Sequence, residues 1–104
     1  MNKNFEAKIY WLSEMQGGRK TIPFSNTYAP IIKIDGDQFK TNDFWSVFIV
    51  NQKILSKYET LSHLKYLSDV APNNLVKGVK FTLYEGNRVV ANGVVLREIA
   101  SDDI

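Results

Sequence analysis

The sequence predicts an all-β protein, a small closed barrel of six antiparallel strands. Alternating apolar and polar residues recur along much of the 104-residue chain, and a period of two is typical of half-buried strands. A Gly86-Asn87 pair separates two such stretches, which predicts a tight hairpin. Closing the sheet into a barrel would also remove the exposed edges that an open sheet leaves.

The N-terminal half contains three predicted strands, at residues 5–12, 28–34 and 44–50. The connection between the first two is long and irregular, because Gly17-Gly18 and Pro23 interrupt it. The second strand has Pro30 near its start, where a missing backbone donor is tolerated. Asp35-Gly36-Asp37 predicts the turn that follows. The third strand is almost wholly apolar, which predicts a central position in the sheet.

Residues 57–71 fit two patterns. Leu61, Leu64 and Leu67 recur at helical spacing, whereas the alternating pattern in the same stretch is weak. The flanking sequence is strongly β in character, and Pro72 closes the segment without a glycine cap. We therefore predict a strand here and keep the helix as the alternative.

The C-terminal third predicts a hairpin with the clearest pattern in the chain. Residues 79–85 alternate, Gly86-Asn87 supplies the turn, and residues 88–99 form the last strand. Gly93 lies inside that strand. A glycine there predicts a bulge or a barrel corner, where a Cβ atom would crowd the neighbouring backbone.

Length and composition predict one soluble cytoplasmic domain covering residues 1–104. The chain has 13 Lys and Arg against 11 Asp and Glu, a net charge of +2 that gives little support for a strongly anionic partner. It contains no cysteine, which excludes disulfides and thiolate metal sites. Its apolar runs are shorter than the roughly 18 residues of a membrane span, and its first residues are polar, so no membrane association is expected.

The sequence offers little that could catalyse a reaction. His63 is the one histidine, and an exposed side chain is expected there rather than a metal ligand. The stretch Gly17 to Thr21 fails as a phosphate loop, because Arg19 stands where glycine should precede the lysine. We therefore expect no enzyme activity, no metal and no cofactor, with an unrecognised hydrolase as the remaining alternative.

Four tyrosines are candidates for stacking on bases or meeting a partner protein. The alternative is packing at the edge of the core with a solvated hydroxyl, which is the commoner arrangement in barrels. These residues are Tyr10, Tyr58, Tyr66 and Tyr84.

Two stretches at opposite ends of the chain carry a resemblance. Residues 7–30 read AKIYWLSEMQGGRKTIPFSNTYAP, and residues 75–98 read LVKGVKFTLYEGNRVVANGVVLRE. Each resembles the corresponding end of the C-terminal (third) β-barrel domain of elongation factor Tu. The matching positions are Leu12, Ser13, Gly17, Gly18, Arg19, Thr21, Pro23, Phe24, Tyr28, Pro30, Gly78, Phe81, Glu85, Gly86, Arg88, Gly93, Val94 and Val95.

The resemblance implies candidate contact residues. The turn that faces tRNA in that family is matched by Glu85, Gly86 and Arg88, and Lys80 lies on the strand leading to it. The loop that faces the GTPase domain in that family is matched by Gly17, Gly18 and Arg19, which makes these residues candidates for docking a partner. The alternative for the loop is a structural role, in which Arg19 donates hydrogen bonds to loop carbonyls. The alternative for the turn is that it only connects the two strands of a hairpin.

The departures from that family bear on function. The nucleotide-binding domain has no counterpart here, so no GTP binding is expected. Ala29 and Ile31 replace an arginine and a glutamine of the family pattern, and residues 35–58 do not resemble it. The resemblance implies a non-catalytic binding module that contacts tRNA or a translation protein. The alternative is a protein-interaction or regulatory barrel that has lost RNA binding.

Overall fold

A computed structural model describes residues 3–25, 27–35 and 44–99 of the chain. Within this part, six strands and one short 3-10 helix (Glu14–Gln16) are present, and no helix is long and apolar enough to cross a membrane. The strands are β1 (Asn4–Trp11), β2 (Ile31–Ile34), β3 (Trp45–Ser56), β4 (Glu59–Tyr66), β5 (Lys80–Glu85) and β6 (Arg88–Ile99).

The six strands form a closed ring in the order β1-β4-β3-β2-β5-β6. Every neighbouring pair is antiparallel, and each strand pairs with two others, as expected when a sheet closes on itself. The all-β class with six antiparallel strands is therefore confirmed. The strand predicted within residues 57–71 is also confirmed, over Glu59–Tyr66.

The core of the barrel is filled by alternate residues of each strand. β1 buries Phe5, Ala7, Ile9 and Trp11, the face that the sequence pattern predicts. Phe81 and Leu83 of β5 meet them inside the ring and are fully buried. The other buried apolar residues are Ile32, Val47, Ile49, Leu64, Tyr66, Leu75, Val90, Ala91, Val95 and Ile99.

The start of β2 and the end of β3 differ from the predicted boundaries by more than one residue. β2 begins at Ile31 rather than at Tyr28. Over residues 28–30, the described backbone bonds to β3 alone: the N–H groups of Ile49 and Val47 donate to the carbonyls of Tyr28 and Pro30, each at 3.0 Å. β3 continues beyond Val50 to Ser56, since β4 pairs with it over that whole length. A turn was predicted at Asp35-Gly36-Asp37, and of these three residues only Asp35 is among those described.

The prediction of a bulge at Gly93 is wrong, although the crowding argument behind it is right. Gly93 pairs in register with Ile9 and Phe81, and a Cβ atom here would overlap the Phe81 ring. Register shifts occur instead between Glu6 and Ala7 and between Leu83 and Tyr84. The glycine therefore makes room for a core ring without a register shift, and the barrel corner that was predicted as the alternative to a bulge stays a prediction.

Antiparallel pairing places three connections at one end of the barrel. The end of β1 lies beside the start of β4 and the start of β6, as the pairs Tyr10 with Glu59 and Trp11 with Ala91 show. The β1–β2 connection (residues 12–30), the β3–β4 turn (57–58) and the β5–β6 turn (86–87) therefore share this end, which we call the loop end. Residues 67–79 connect β4 to β5 at the opposite end.

Candidate functional site

The structure brings the two sets of candidate residues together at the loop end. Arg19 lies in the β1–β2 connection and Glu85 ends β5, yet Nη1 of Arg19 lies 2.5 Å from Oε2 of Glu85. The candidate docking loop and the candidate RNA-facing turn are thus joined by an ion pair between residues 66 positions apart. They form one surface rather than two.

Glu85 is the centre of a cluster of four side chains. The Tyr28 hydroxyl donates to Oε2 of Glu85 at 2.5 Å, and Nη2 of Arg88 donates to Oε1 at 3.2 Å. The Arg19 guanidinium also lies over the Tyr28 ring, 5.1 Å from its centroid. We call Arg19, Tyr28, Glu85 and Arg88 the Glu85 cluster. Both carboxylate oxygens are engaged, so the cluster fixes the connection to the hairpin.

The pKa values of the cluster follow from this arrangement. Partial burial acts to raise the pKa of Glu85, but the hydrogen bonds from Tyr28 and Arg19 outweigh it and the pKa lies below its ordinary value. Burial, together with the hydrogen bond to the carboxylate, raises the pKa of Tyr28 well above its usual range. The carboxylate is therefore charged and the phenol neutral at neutral pH.

Two glycines shape the start of the connection. Gly17 follows the 3-10 helix with φ of 89°, a left-handed conformation that favours glycine, and its N–H donates to Glu14 at 3.0 Å. Gly18 packs against the carbonyl of Leu12, where a Cβ atom would overlap the backbone. Arg19 Nε donates to the Thr21 carbonyl at 3.1 Å, as the structural alternative for this loop predicts. The motif thus has a structural role whatever else it does.

A buried polar network anchors the same connection from inside the barrel. Asn51 of β3 donates through Nδ2 to the Pro23 carbonyl, and its Oδ1 accepts from Thr60 at 3.0 Å and from Ser62 at 2.5 Å. Trp11 Nε1 completes the network by donating to Thr60 at 2.9 Å. Polar residues at inward positions of a strand are the signal for such a network, and the sequence analysis missed it.

A groove opens between the β1–β2 connection and the β3–β4 turn. Its volume is about 470 Å³, and it is lined by basic and aromatic side chains from both segments. We call it the basic groove. Its lining includes Arg19, Lys20, Phe24, Lys57 and Tyr58, and no Asp or Glu of the described residues. Sequence reasoning did not connect these residues, because only the pairing of β1 with β4 brings the two segments together.

Not every candidate residue belongs to this surface. Lys80 begins β5, and the six residues to Glu85 span about 17 Å along a strand. Lys80 therefore lies toward the opposite end of the barrel from Gly86 and Arg88. The structure therefore does not bring Lys80 together with the other candidate RNA-binding residues, Glu85, Gly86 and Arg88.

The four candidate tyrosines fall in different environments. Tyr58 is exposed and lines the groove, whereas Tyr10 is exposed on the barrel wall. Tyr66 is buried and donates to Oδ1 of Asn74 at 2.7 Å, and Tyr84 is half-buried against Phe44. Tyr10 and Tyr58 are both exposed beside a lysine, but of these two only Tyr58 lines the groove.

His63 is half-buried rather than exposed. Its Nδ1 atom is buried and has no hydrogen-bond partner among the described residues. In the same part of the chain, no group of three or more His, Asp or Glu side chains converges as metal ligands would.

The chain matches no model of a known protein family. Its similarity to the third domain of elongation factor Tu accordingly rests on the motifs quoted above.

The Glu85 cluster predicts unequal costs for two arginine substitutions. We expect Arg19→Ala to lower the free energy of unfolding by about 1–2 kcal/mol, because it removes charged hydrogen bonds that are partly shielded from water. For a domain of this size, each kcal/mol lost lowers Tm by about 4–8 °C. The matched control is Arg97→Ala, whose guanidinium is more exposed than that of Arg19 and pairs with the half-buried Glu6; this change should cost about 0–1 kcal/mol. Equal losses in urea denaturation would contradict the anchoring role of Arg19.

The pKa of Glu85 predicts a pH-dependent stability. Because the folded pKa lies below the unfolded value of about 4.3, the charged carboxylate stabilises the fold above that pH. This contribution is lost as the pH falls through the folded pKa. The difference in unfolding free energy between the wild type and Glu85→Gln should therefore be largest near neutral pH and shrink in acid.

Urea denaturation over a series of pH values measures this difference. Glu98→Gln, which alters an exposed ion pair with Lys3, is the control and should show a small difference at every pH. A gap for Glu85→Gln that stays constant into acid would show that the carboxylate charge contributes nothing to anchoring.

Proposed function

We propose that this chain is a non-catalytic binding module of the elongation factor Tu third-domain type, which contacts RNA of the tRNA class through its loop end. The observation that supports this best is the basic groove, which carries three cationic side chains and no acidic one among its described lining. RNA affinity depends mainly on cations that neutralise phosphates together. A cytoplasmic setting in translation belongs to the same proposal.

The charge at the loop end is more concentrated than the net charge of the chain suggests. Lys20 and Lys57 are exposed, and among the described residues neither lies within 4.0 Å of a carboxylate oxygen. The Glu85 cluster beside them contains two arginines and one glutamate, so it retains one positive charge. Among the groove lining and the Glu85 cluster, four cations therefore stand against one anion, while Glu14 of the same connection and Glu59 beside Tyr58 lie outside this set.

Because it is anchored, the β1–β2 connection is also suited to contact the sugar-phosphate backbone of RNA. The Glu85 cluster holds Arg19 in place, and the Asn51 network holds Pro23. A surface that is already ordered loses little conformational entropy when it binds. Contacts of this kind read the shape and phosphates of RNA rather than its sequence.

A second candidate function is the binding of a translation-associated protein by a barrel that has lost RNA binding. The observation that favours it is the exposure of apolar side chains near the end of β3, where Ile54 is 56% and Leu55 is 43% exposed. Ala29 and Ile31 also favour this candidate, because they replace polar residues of the family pattern.

The proposal predicts salt-dependent tRNA binding that uses the groove lysines. Combined Lys20→Ala and Lys57→Ala substitution should weaken binding roughly 10- to 100-fold near 0.1 M salt, and should flatten the slope of log K against log salt by about two. Fluorescence anisotropy with labelled tRNA measures both quantities. The control is Lys77→Ala at the opposite end of the barrel, which should leave both unchanged. Absence of tRNA binding, or equal behaviour of the two variants, would contradict the proposal and favour the protein-binding candidate.

A further inference from the structure

Two aromatic side chains line the basic groove with much of their surface exposed. Phe24, from the β1–β2 connection, is 52% exposed, and Tyr58, from the β3–β4 turn, is 42% exposed. Exposed rings beside lysines are typical of surfaces on which nucleic acid bases stack, because each base offers an aromatic face while its phosphate needs a cation. Contacts to a duplex backbone alone would require no such rings.

We propose that the basic groove receives an unpaired nucleotide of RNA, whose base packs against Phe24 and Tyr58 while its phosphates lie near Lys20 and Lys57. This inference rests on the proposed function, since it names the part of the RNA that the loop end takes. It also goes beyond that function, because a module that reads only a duplex backbone would leave the groove empty.

The dimensions of the groove fit this occupant. Its volume of about 470 Å³ lies within the range of roughly 300–1,000 Å³ that is usual for small-molecule sites. A base with its ribose fits such a space. An RNA duplex is too wide to enter and would contact only the rim.

The charge of the lining selects an anionic occupant over a neutral one. Arg19, Lys20 and Lys57 all line the groove, and acidic side chains are absent from its described lining. The Lys57 ammonium lies 5.4 Å from the centroid of the Tyr58 ring, so cation and aromatic face occur side by side. An acidic peptide would satisfy the charges, but it would make no use of two exposed aromatic rings.

Both walls of the groove are fixed before any ligand arrives. The backbone N–H of Trp11 donates to the Tyr58 carbonyl at 2.7 Å, which ties the β3–β4 turn to the end of β1. In the β1–β2 connection, the bond from Asn51 to the Pro23 carbonyl lies directly beside Phe24. The two rings are therefore attached to anchored backbone, and packing of a base against them costs little ordering.

The other cavities offer less. A groove of about 190 Å³ at the opposite end has one lysine and one aspartate among its lining residues, so its lining carries no net charge. A void of about 30 Å³ beside Asn4 and His63 has room for little more than a water molecule. Of these three cavities, the basic groove thus combines the size and the charge for a nucleotide.

The test compares RNAs that share charge but differ in accessible bases. The full chain is titrated with a labelled uridine pentanucleotide, with an abasic strand of the same length, and with a blunt RNA duplex, all at one salt concentration. We expect the pentanucleotide to bind at least about 5-fold more tightly than the abasic strand, because stacking is lost without bases.

Variants then separate stacking from charge. Tyr58→Ala and Phe24→Ala should each weaken pentanucleotide binding about 5- to 100-fold without changing the salt slope, whereas Tyr58→Phe should retain binding. Tyr10→Ala, which removes an exposed tyrosine from the barrel wall, should have no effect. Melting curves establish whether each variant is folded, and Phe24→Ala still tests the loss of stacking if Tyr58→Ala does not fold.

The outcomes distinguish this inference from the proposed function. Equal binding of abasic and intact strands, or unchanged binding by Tyr58→Ala and Phe24→Ala while tRNA still binds, would overturn the inference and leave the proposed function standing. Binding of a polyglutamate peptide that displaces the pentanucleotide at lower concentration would also overturn it. If neither tRNA nor the pentanucleotide binds, the inference and the proposed function are both wrong.

Discussion

The carboxylate of Glu85 ties the long β1–β2 connection to the β5–β6 hairpin. The described residues of this connection, 12–25 and 27–30, contain no strand, and ordering them costs conformational entropy that must be offset by specific bonds. Glu85 accepts from Arg19 and Tyr28 in that connection and from Arg88 in its own hairpin. Asn51 supports the same connection from the core side. With the connection fixed at two points, the groove beside it has a defined shape.

Local sequence patterns predicted most of the fold. Strand alternation is a property of neighbouring residues, so it identified β1 and the β5–β6 hairpin, whereas the strand at Glu59–Tyr66 was predicted from the β character of the flanking sequence. Gly86, with φ of 62°, fits the tight turn predicted for Gly86-Asn87. The errors arose where a long-range partner decides the outcome. β2 starts late because its neighbours pair with it only from Ile31, and Gly93 makes room for Phe81 instead of forming a bulge.

The candidate site could be predicted only in part, for the same reason. Arg19 and Glu85 were both identified, but as members of separate surfaces, since nothing local shows that they form an ion pair. Lys57 was not identified, and Lys20 was considered only as the lysine of a rejected phosphate loop. They come from segments joined by the antiparallel pairing of β1 with β4, and only that pairing places them around one groove. Thr60 and Ser62 gave a weak alternating pattern because the polar network they form replaces apolar packing.

The central claim is that the anchored loop end, and not the rest of the barrel, is the binding surface. The most direct measurement is a titration of the ¹⁵N-labelled chain with tRNA, followed by the backbone amide signals in two-dimensional NMR spectra. The account predicts that the largest changes fall on residues 17–24, 57–58 and 86–88. Changes concentrated in residues 67–79, at the opposite end, would contradict it.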